Sequence, residues 1–199
     1  MISIMMFDLG GVLVEFDYNA FLFNSSSCYN ITADKFRNHQ SIALHEDFMR
    51  GRISSEQFFQ SIRSDLDTAI SRDLFEKLWN SIIIKERTDT SLIVDKLQNR
   101  YELVLMSNTD PWHFSFCYDH FPVVRKFDNR FLSYKTHAIK PEKDFYLHAL
   151  RVLNVESQNC LFIDDLIENV DSASALGFNA IHFQNGSQLE SELVKLNLI

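Results

Sequence analysis

Polar side chains close three apolar runs of this 199-residue chain, and a lysine lies between the second run and the third. Asp8 closes the first run, Ser107 the second and Asp164–Asp165 the third, while Lys140 precedes Pro141 in a turn. We expect these groups to meet, because the carboxyl ends of parallel strands lie at one edge of an α/β sheet, where ligands bind. The sequence therefore predicts one polar crevice built from segments that are far apart in the chain.

Carboxylates gathered in such a crevice repel one another, by about 4 kcal/mol for two charges about 4 Å apart at a protein-like dielectric. A hard divalent cation removes this repulsion, and carboxylate and main-chain carbonyl oxygens are ligands that magnesium accepts. With magnesium and Lys140 in place, the crevice attracts a phosphate group, to which the Ser107 hydroxyl can donate. Asp8 then stands where it can attack phosphorus and form an aspartyl phosphate.

Each motif has a simpler interpretation when it is taken alone. Asp8 is compatible with a cap or turn after a strand, and Ser107 with a cap for the helix that Pro111 begins. A Lys-Pro pair is typical of a solvated turn, and Asp164–Asp165 of a helix cap beside a second acid. The functional interpretation therefore depends on the motifs occurring in this order, each at an end of a predicted apolar strand or between two of them.

The elements that would position these groups alternate between strand and helix. Apolar strands are predicted near residues 2–7, 102–106, 131–133, 160–163 and 179–183. This order predicts an α/β fold, with a Rossmann-like parallel sheet and helices on both of its faces. Residues 1–14 and 87–199 would form this catalytic core.

Residues 15–86 carry a helical pattern and are predicted to form an inserted all-helical cap above the carboxyl edge of the sheet. Thr32 is a candidate cap for a helix that contains Phe36. Gly51 is a candidate helix end, and Ser54–Gln57 resembles a capping box.

Composition excludes several classes of partner. The net charge of −8 argues against nucleic acid, because a phosphate backbone needs a basic surface. The three cysteines Cys28, Cys117 and Cys160 are far apart and odd in number, which indicates reduced thiols in a reducing compartment. No apolar run has the length of a membrane span and no signal-peptide pattern occurs, so we expect a cytoplasmic protein without membrane contacts.

The motifs, in this order, resemble those of the haloacid dehalogenase-like (HAD) hydrolase superfamily. The matching segments span nearly the whole chain and are Phe7–Val12, Met106–Asn108, Lys140–Pro141 and Phe162–Asp165, with Asn169 one turn further on. The inserted segment resembles the α-helical cap of that superfamily. The closest resemblance is to bacterial sugar-phosphate phosphatases and to the phosphatase domain of bifunctional epoxide hydrolases.

This resemblance implies a magnesium-dependent phosphomonoesterase that acts on a small phosphorylated metabolite, a sugar phosphate above all, through an aspartyl-phosphate intermediate. The implied catalytic residues are Asp8, as nucleophile, and Lys140. The implied phosphate-binding residues are Ser107, Asn108 and Lys140. The implied metal ligands are Asp8, Gly10 through its main-chain carbonyl, Asp164 and Asp165, with Asp165 favoured over Asp164 as the direct ligand.

Gly10 departs from the family pattern. Most phosphatases of the family have Asp-x-Asp, in which the second Asp also acts as general acid and base, a role worth about 10²–10⁴ in rate. Gly10 keeps the carbonyl but lacks the proton donor. We therefore expect the enzyme to rely on water or on a cap residue, or to prefer esters with good leaving groups such as anomeric sugar phosphates.

Substrate-pocket candidates lie where the cap joins the core and beside the other motifs. They are Phe16, Asp17, Tyr18, Trp112, His113 and Asn169. For the aromatic residues among them, core packing is the competing interpretation. Two alternative functions also remain: a metal-free 2-haloacid dehalogenase, which the acidic pair argues against, and a non-catalytic phosphate-binding or regulatory protein that lost the acid at position 10.

Overall fold

The computed structural model describes the backbone of residues 1–29, 39–65 and 69–199, without the side chains at positions 22, 25–29 and 39–41. Its strands are β1 Ile4–Phe7, β2 Val14–Phe16, β3 Ile83–Glu86, β4 Glu102–Ser107, β5 Asn129–Leu132, β6 Cys160–Asp164 and β7 Asn179–His182. Five of them form a parallel sheet in the order β5-β4-β1-β6-β7. This sheet confirms the predicted fold class.

Strand β1 lies in the middle of the sheet and is buried on both faces. Met5 and Phe7 belong to the hydrophobic cluster on one side, and Ile4 and Met6 to the cluster on the other. A continuous apolar run is the sequence pattern that such a strand requires, because alternate side chains enter opposite apolar layers. The position of β1 places its carboxyl end between those of β4 and β6.

The helices follow the predicted alternation. They are α1 Tyr18–Tyr29, α2 His39–Met49, α3 Ser55–Asp65, α4 Arg72–Asn80, α5 Thr88–Leu97, α6 Pro111–His120, α7 Ser133–Thr136, α8 Lys143–Leu153, α9 Ile167–Ala175 and α10 Gly186–Lys195. Two 3₁₀ helices cover Pro122–Lys126 and Ser157–Asn159. None of the helices in the described residues is long and apolar enough to cross a membrane.

The inserted segment is helical over α1 to α4, but it begins and ends in the strands of a small two-stranded sheet, β2 and β3, that we did not predict. Strands β2 and β3 pair antiparallel, with Val14 opposite Glu86 and Glu15 opposite Lys85. The prediction of an all-helical cap is therefore wrong at its base, because strands of three and four residues are too short to show alternation. The division into a core of residues 1–14 and 87–199 and a cap of residues 15–86 stays our proposal. Strand β2 crosses the first limit of the cap, and β3 ends at the second.

Local signals in the insert are confirmed where the structure describes them. Ser54 and Gln57 form the capping box, since the Gln57 backbone N–H donates to Ser54 Oγ at 3.2 Å and the Ser54 backbone N–H to Gln57 Oε1 at 2.8 Å. Gly51 has φ +65° beyond the end of α2. The predicted helix with Thr32 and Phe36 lies outside the described residues.

Candidate active site

The carboxylates of Asp8 and Asp164 share the ammonium group of Lys140. Lys140 Nζ lies 2.8 Å from Asp8 Oδ1 and 2.6 Å from Asp164 Oδ2, and all three residues are buried. Asp8 directly follows β1, Asp164 ends β6, and these two strands pair side by side. The structure therefore brings together three of the residues that the sequence singled out.

Asp165 completes an acidic cluster with Asp8 and Asp164. Each of the three offers one carboxylate oxygen, and these oxygens lie within 4.8 Å of one another. Burial raises the pKa of Asp8 to about 7, with Lys140 opposing the shift and Asp164 adding to it. Three carboxylates beside one ammonium leave excess negative charge, so this oxygen donor set fits a magnesium ion.

The two neighbouring acids differ in what already binds them. Asp164 Oδ2 holds Lys140, and Asp164 Oδ1 accepts from the Leu166 backbone N–H at 2.9 Å and from Asn169 Nδ2 at 2.9 Å. Among the described residues, no side chain donates a hydrogen bond to the Asp165 carboxylate, although His182 Nε2 lies 3.0 Å from the Asp165 main-chain carbonyl. This difference supports the expectation that Asp165 is the direct metal ligand.

Gly11 lets Asp165 approach the end of β1. Its φ is +73°, and a Cβ built there would lie only 2.1 Å from Asp165 Oδ2. Any other residue at this position would adopt a rare backbone conformation and displace the carboxylate.

Asn169 lies beneath the acidic cluster and does not line a substrate pocket. Its side chain is buried and donates to Asp164, while Tyr146 Oη donates to the Asn169 carbonyl at 3.0 Å. Its placement among the pocket candidates was wrong, because a residue one helical turn after Asp164 points back to that carboxylate. Asn169 is a positioning residue for Asp164.

Ser107 and Asn108 end β4 beside the lysine loop, but their side chains are used differently. Ser107 lines a cavity at this edge of the sheet. Asn108 Nδ2 donates to the Lys140 carbonyl at 2.8 Å, and the Lys140 backbone N–H donates to Asn108 Oδ1 at 2.8 Å. The Asn108 amide therefore fixes the lysine loop through its oxygen and one of its two Nδ2 hydrogens.

Gly10 has no room for a side chain. A Cβ at this position would lie 2.8 Å from Cε1 of the Phe16 ring. Phe16 packs edge-on against Tyr18, with ring centroids 5.0 Å apart. An aromatic wall therefore occupies the space into which the family's second Asp would project.

The cavity beside Gly10 and Ser107 has a volume of about 70 Å³ and lies between the core and the inserted segment. Three of the substrate-pocket candidates, Phe16, Tyr18 and His113, line this cavity. Asp17 does not line it. Instead, Asp17 is exposed and caps α1, where its Oδ1 accepts from the Asn19 backbone N–H at 2.8 Å.

Trp112 lies on α6 of the core, and its ring packs against the helices of the insert and does not line the cavity. It lies in an aromatic cluster of the helical segment, 5.3 Å from the Phe48 ring and 6.0 Å from the Phe58 ring. The competing interpretation of core packing is therefore correct for Trp112.

Sequence reasoning missed Asp110, which joins the insert to the core. Asp110 is fully buried. Its Oδ2 accepts a hydrogen bond from Trp79 Nε1 at 3.0 Å and lies 2.7 Å from His113 Nδ1. Its Oδ1 accepts from the backbone N–H groups of Trp112 and His113. Burial alone would raise the pKa of Asp110, but His113 outweighs it and holds the pKa at about 2. The one signal in the sequence was its place before Pro111, which marks a helix cap.

His45 was also missed. It lies on α2 of the insert, lines the cavity, and packs edge-on against Trp79 with centroids 5.0 Å apart. Burial lowers its pKa to about 4; Asp110 opposes the shift, and His113 adds to it. His45 is therefore neutral near pH 7. An isolated histidine in a helical pattern gives no signal that would reveal this placement.

A second contact clamps the insert to the lysine loop. Arg50 Nη1 and Nη2 donate to the two carboxylate oxygens of Glu142 at 2.9 and 2.6 Å, and Arg50 Nε donates to Glu46. His137 Nδ1 lies 2.9 Å from the Arg50 carbonyl. Glu142 is two residues from Lys140, so the end of α2 is tied to the segment that carries this lysine.

Comparison with known proteins is consistent with this geometry. The D-ribitol-5-phosphate phosphatase of Bacteroides thetaiotaomicron is 24% identical over 97% of this chain and 97% of its own length. A sesquiterpene phosphatase of Aspergillus oryzae is 25% identical over 96% of this chain and 94% of its own length.

Solved structures show the same relationship. A HAD family enzyme of Bacteroides thetaiotaomicron matches with a TM-score of 0.88 and 28% identity, covering 95% of this chain and 98% of its own. A complex of that enzyme with magnesium and inorganic phosphate matches with a TM-score of 0.82 and 25% identity, covering 94% and 96%. A family model for haloacid dehalogenase-like hydrolases matches residues 2–177. The chain therefore belongs to the haloacid dehalogenase-like hydrolase family.

Proposed function

We propose that the protein is a magnesium-dependent phosphomonoesterase that acts on a small phosphorylated metabolite, a sugar phosphate above all, through a phosphorylated Asp8. The observation that carries this proposal is the convergence of Asp8, Asp164 and Asp165 around one cation-sized space with Lys140 beside it. A mere phosphate binder has no need of a buried carboxylate next to its anion, because like charges repel. The relatives named as phosphatases support the same class of reaction.

Asp8 is held for attack by the groups that bind one of its two carboxylate oxygens. Oδ1 accepts from the Leu9 backbone N–H at 2.7 Å and lies 2.8 Å from Lys140 Nζ. In the proposed reaction Oδ2 forms the bond to phosphorus while the bond from phosphorus to the alcohol oxygen breaks, and water donates a proton to that oxygen. Water then attacks phosphorus, the bond to Asp8 breaks, and phosphate leaves.

The chain supplies positive charge and donors to the transferring oxygens. Lys140 and the Ser107 hydroxyl face the phosphate, and Asn108 holds the lysine loop in place. Burial lowers the pKa of Lys140, but the carboxylates of Asp8 and Asp164 raise it by more than burial lowers it. The pKa of Lys140 therefore lies above its ordinary value, and the ammonium stays charged. Asp8, Asp165, the Gly10 carbonyl and Asp164 would hold magnesium, which would supply further positive charge to the phosphate oxygens.

The absence of an acid at Gly10 shapes the choice of ester. Within the described part of the chain, no carboxylate stands where the family's second Asp would protonate the leaving oxygen, and the Phe16 ring lies in that space. We therefore expect anomeric sugar 1-phosphates, whose leaving group needs less help from an acid, to react faster than 6-phosphates of the same sugar. A clear preference for the 6-phosphates would contradict this part of the proposal.

Hydrolysis of p-nitrophenyl phosphate tests the reaction class. We expect activity with magnesium, loss of activity with EDTA and its return on adding magnesium back. Asp8→Asn should reduce turnover to background, while Asp171→Asn, which changes an exposed acid on α9, should match the wild type. Equal rates for wild type and Asp8→Asn would refute the proposal, and magnesium-independent release of halide from a 2-haloacid would support the dehalogenase alternative.

A further inference from the structure

We propose that His45 is a specificity-determining residue, which hydrogen-bonds a hydroxyl group on the alcohol part of the substrate, and that this alcohol part carries no charge. The inference rests on the proposed function, since it assigns the cavity beside Asp8 to the alcohol side of a phosphomonoester. It is carried by the position of His45 in the cavity wall, by its unused hydrogen-bonding groups and by the absence of Asp, Glu, Lys and Arg from the described residues that line the cavity.

The cavity wall combines residues of the sheet edge with residues of the insert. Ser107, Asn108 and Gly10 belong to the edge that carries the proposed phosphate position, and Phe16, Tyr18 and His45 come from the insert. Among the described residues that line the cavity, none is Asp, Glu, Lys or Arg. His113 also lines it, but its charge is matched by Asp110, which lies 2.7 Å away.

His45 is the imidazole in this wall whose ring remains available to a ligand. Both ring nitrogens of His113 are used, Nδ1 by Asp110 and Nε2 by the Trp79 carbonyl at 3.0 Å. No described residue forms a hydrogen bond with the His45 ring, which is positioned only by aromatic contacts with Trp79 and Phe58. The aromatic contacts fix the ring plane, and no described residue occupies either ring nitrogen of this cavity-lining residue.

A neutral imidazole has one donor and one acceptor, which a hydroxyl group can use together, whereas an ionised carboxylate or a second phosphate can use only the donor. A charged group placed against this wall would lose its hydration without gaining an opposite charge. The volume of about 70 Å³ restricts the alcohol part to a small group unless the insert moves outward. A short polyol or a sugar is therefore favoured over a phosphorylated acid or a bisphosphate.

Substitution of His45 tests its role with two esters. For wild type, His45→Leu, His45→Gln and His120→Leu, kcat and KM are measured with magnesium on p-nitrophenyl phosphate and on the best polyol or sugar phosphate of a panel. We expect His45→Leu to lower kcat/KM about 10- to 100-fold on the hydroxylated ester, mainly through KM, and less than about 3-fold on p-nitrophenyl phosphate, which offers no hydroxyl. His45→Gln should restore part of the loss, and His120→Leu, which changes an exposed histidine, should match the wild type.

Matched pairs of esters test the charge rule. sn-Glycerol 3-phosphate is compared with 3-phosphoglycerate, and glucose 6-phosphate with 6-phosphogluconate, since each pair differs chiefly in a carboxylate. We expect the neutral member to have a kcat/KM at least about 100-fold higher.

The outcomes separate this inference from the reaction class. If no variant and no wild-type protein hydrolyses any ester with magnesium, the proposed function fails and the inference falls with it. If wild type is active but His45→Leu lowers the rate equally on both kinds of ester, His45 has only a structural role. If the carboxylate-bearing esters react as fast as their neutral partners, the assignment of an uncharged alcohol part is overturned.

Discussion

Acidification should destabilise the folded protein through His45, independently of any activity. The pKa of this imidazole falls from 6.5 to about 4 on folding, because burial and the nearby His113 outweigh the carboxylate of Asp110. The unfolded chain therefore takes up a proton at a higher pH than the folded chain does. Stability from this source is complete above about pH 6.5, decreases as the pH falls towards 4 and changes no further below that.

The magnitude follows from the difference between the two pKa values. Each pKa unit corresponds to about 1.4 kcal/mol, so the full difference is worth about 3 kcal/mol of unfolding free energy. At about pH 5 the unfolded imidazole is almost fully protonated and the folded one almost fully neutral, which gives a loss of about 2 kcal/mol relative to neutral pH. Other groups titrate in the same range, so a variant without the imidazole has to be compared.

Urea unfolding at neutral pH and at about pH 5, with EDTA present throughout, measures this effect. Between the two pH values, the unfolding free energy of the wild type should fall by about 2 kcal/mol more than that of His45→Asn. His120→Asn, which removes an exposed histidine, should keep the wild-type dependence. If wild type and His45→Asn lose the same free energy, the imidazole is not held neutral by its surroundings, and the reasoning from its burial is wrong.

Three further substitutions test the site and its junction with the insert. Gly11→Ala should displace Asp165, add about 1–3 kcal/mol of backbone strain and weaken magnesium binding in calorimetry, since φ is +73° there. Asn169→Ala should weaken magnesium binding about 10- to 100-fold by freeing Asp164. Asp110→Asn should lower the unfolding free energy by about 3–5 kcal/mol, because it leaves buried donors of the junction unpaired.

Each of these three predictions would be contradicted by one specific result. Unchanged magnesium affinity in Gly11→Ala would mean that Asp165 does not contribute a ligand. Unchanged affinity in Asn169→Ala would mean that Asp164 is positioned without the amide. An Asp110→Asn protein as stable as the wild type in urea would show that the insert is held by other contacts, such as the pair between Arg50 and Glu142.

The catalytic edge could be predicted from the sequence because its signals are local. The run before Asp8 is apolar at every position, as a strand buried on both faces requires, and its carboxyl end is marked by two glycines. The runs 103–106 before Ser107 and 160–163 before Asp164 are apolar as well, and each ends on a polar residue. Once these strands share a sheet, their final side chains meet without further information.

The junction with the insert could not be predicted, because it depends on how two packed units face each other. His45 meets Trp79 and the cavity only when α2 and α4 pack over the sheet edge, and nothing in its own segment reports that contact. Asn169 was misplaced for a related reason, since its spacing from Asp164 identifies a neighbour but not the direction of its side chain. The two-stranded sheet of β2 and β3 was not predicted, because its pairing joins segments about seventy residues apart.

The Phe16 ring against Gly10 also limits how this enzyme can evolve. A mutation that introduces a carboxylate at position 10 meets a ring atom 2.8 Å from the new Cβ, so it is costly until position 16 has changed to something smaller. Yet Phe16 is part of the cavity wall and supports Tyr18, so the change that makes room also reshapes the surface that receives the alcohol. Recovery of an acid catalyst and a change of substrate preference are thereby linked, and the order of the two mutations decides which intermediate variants are viable.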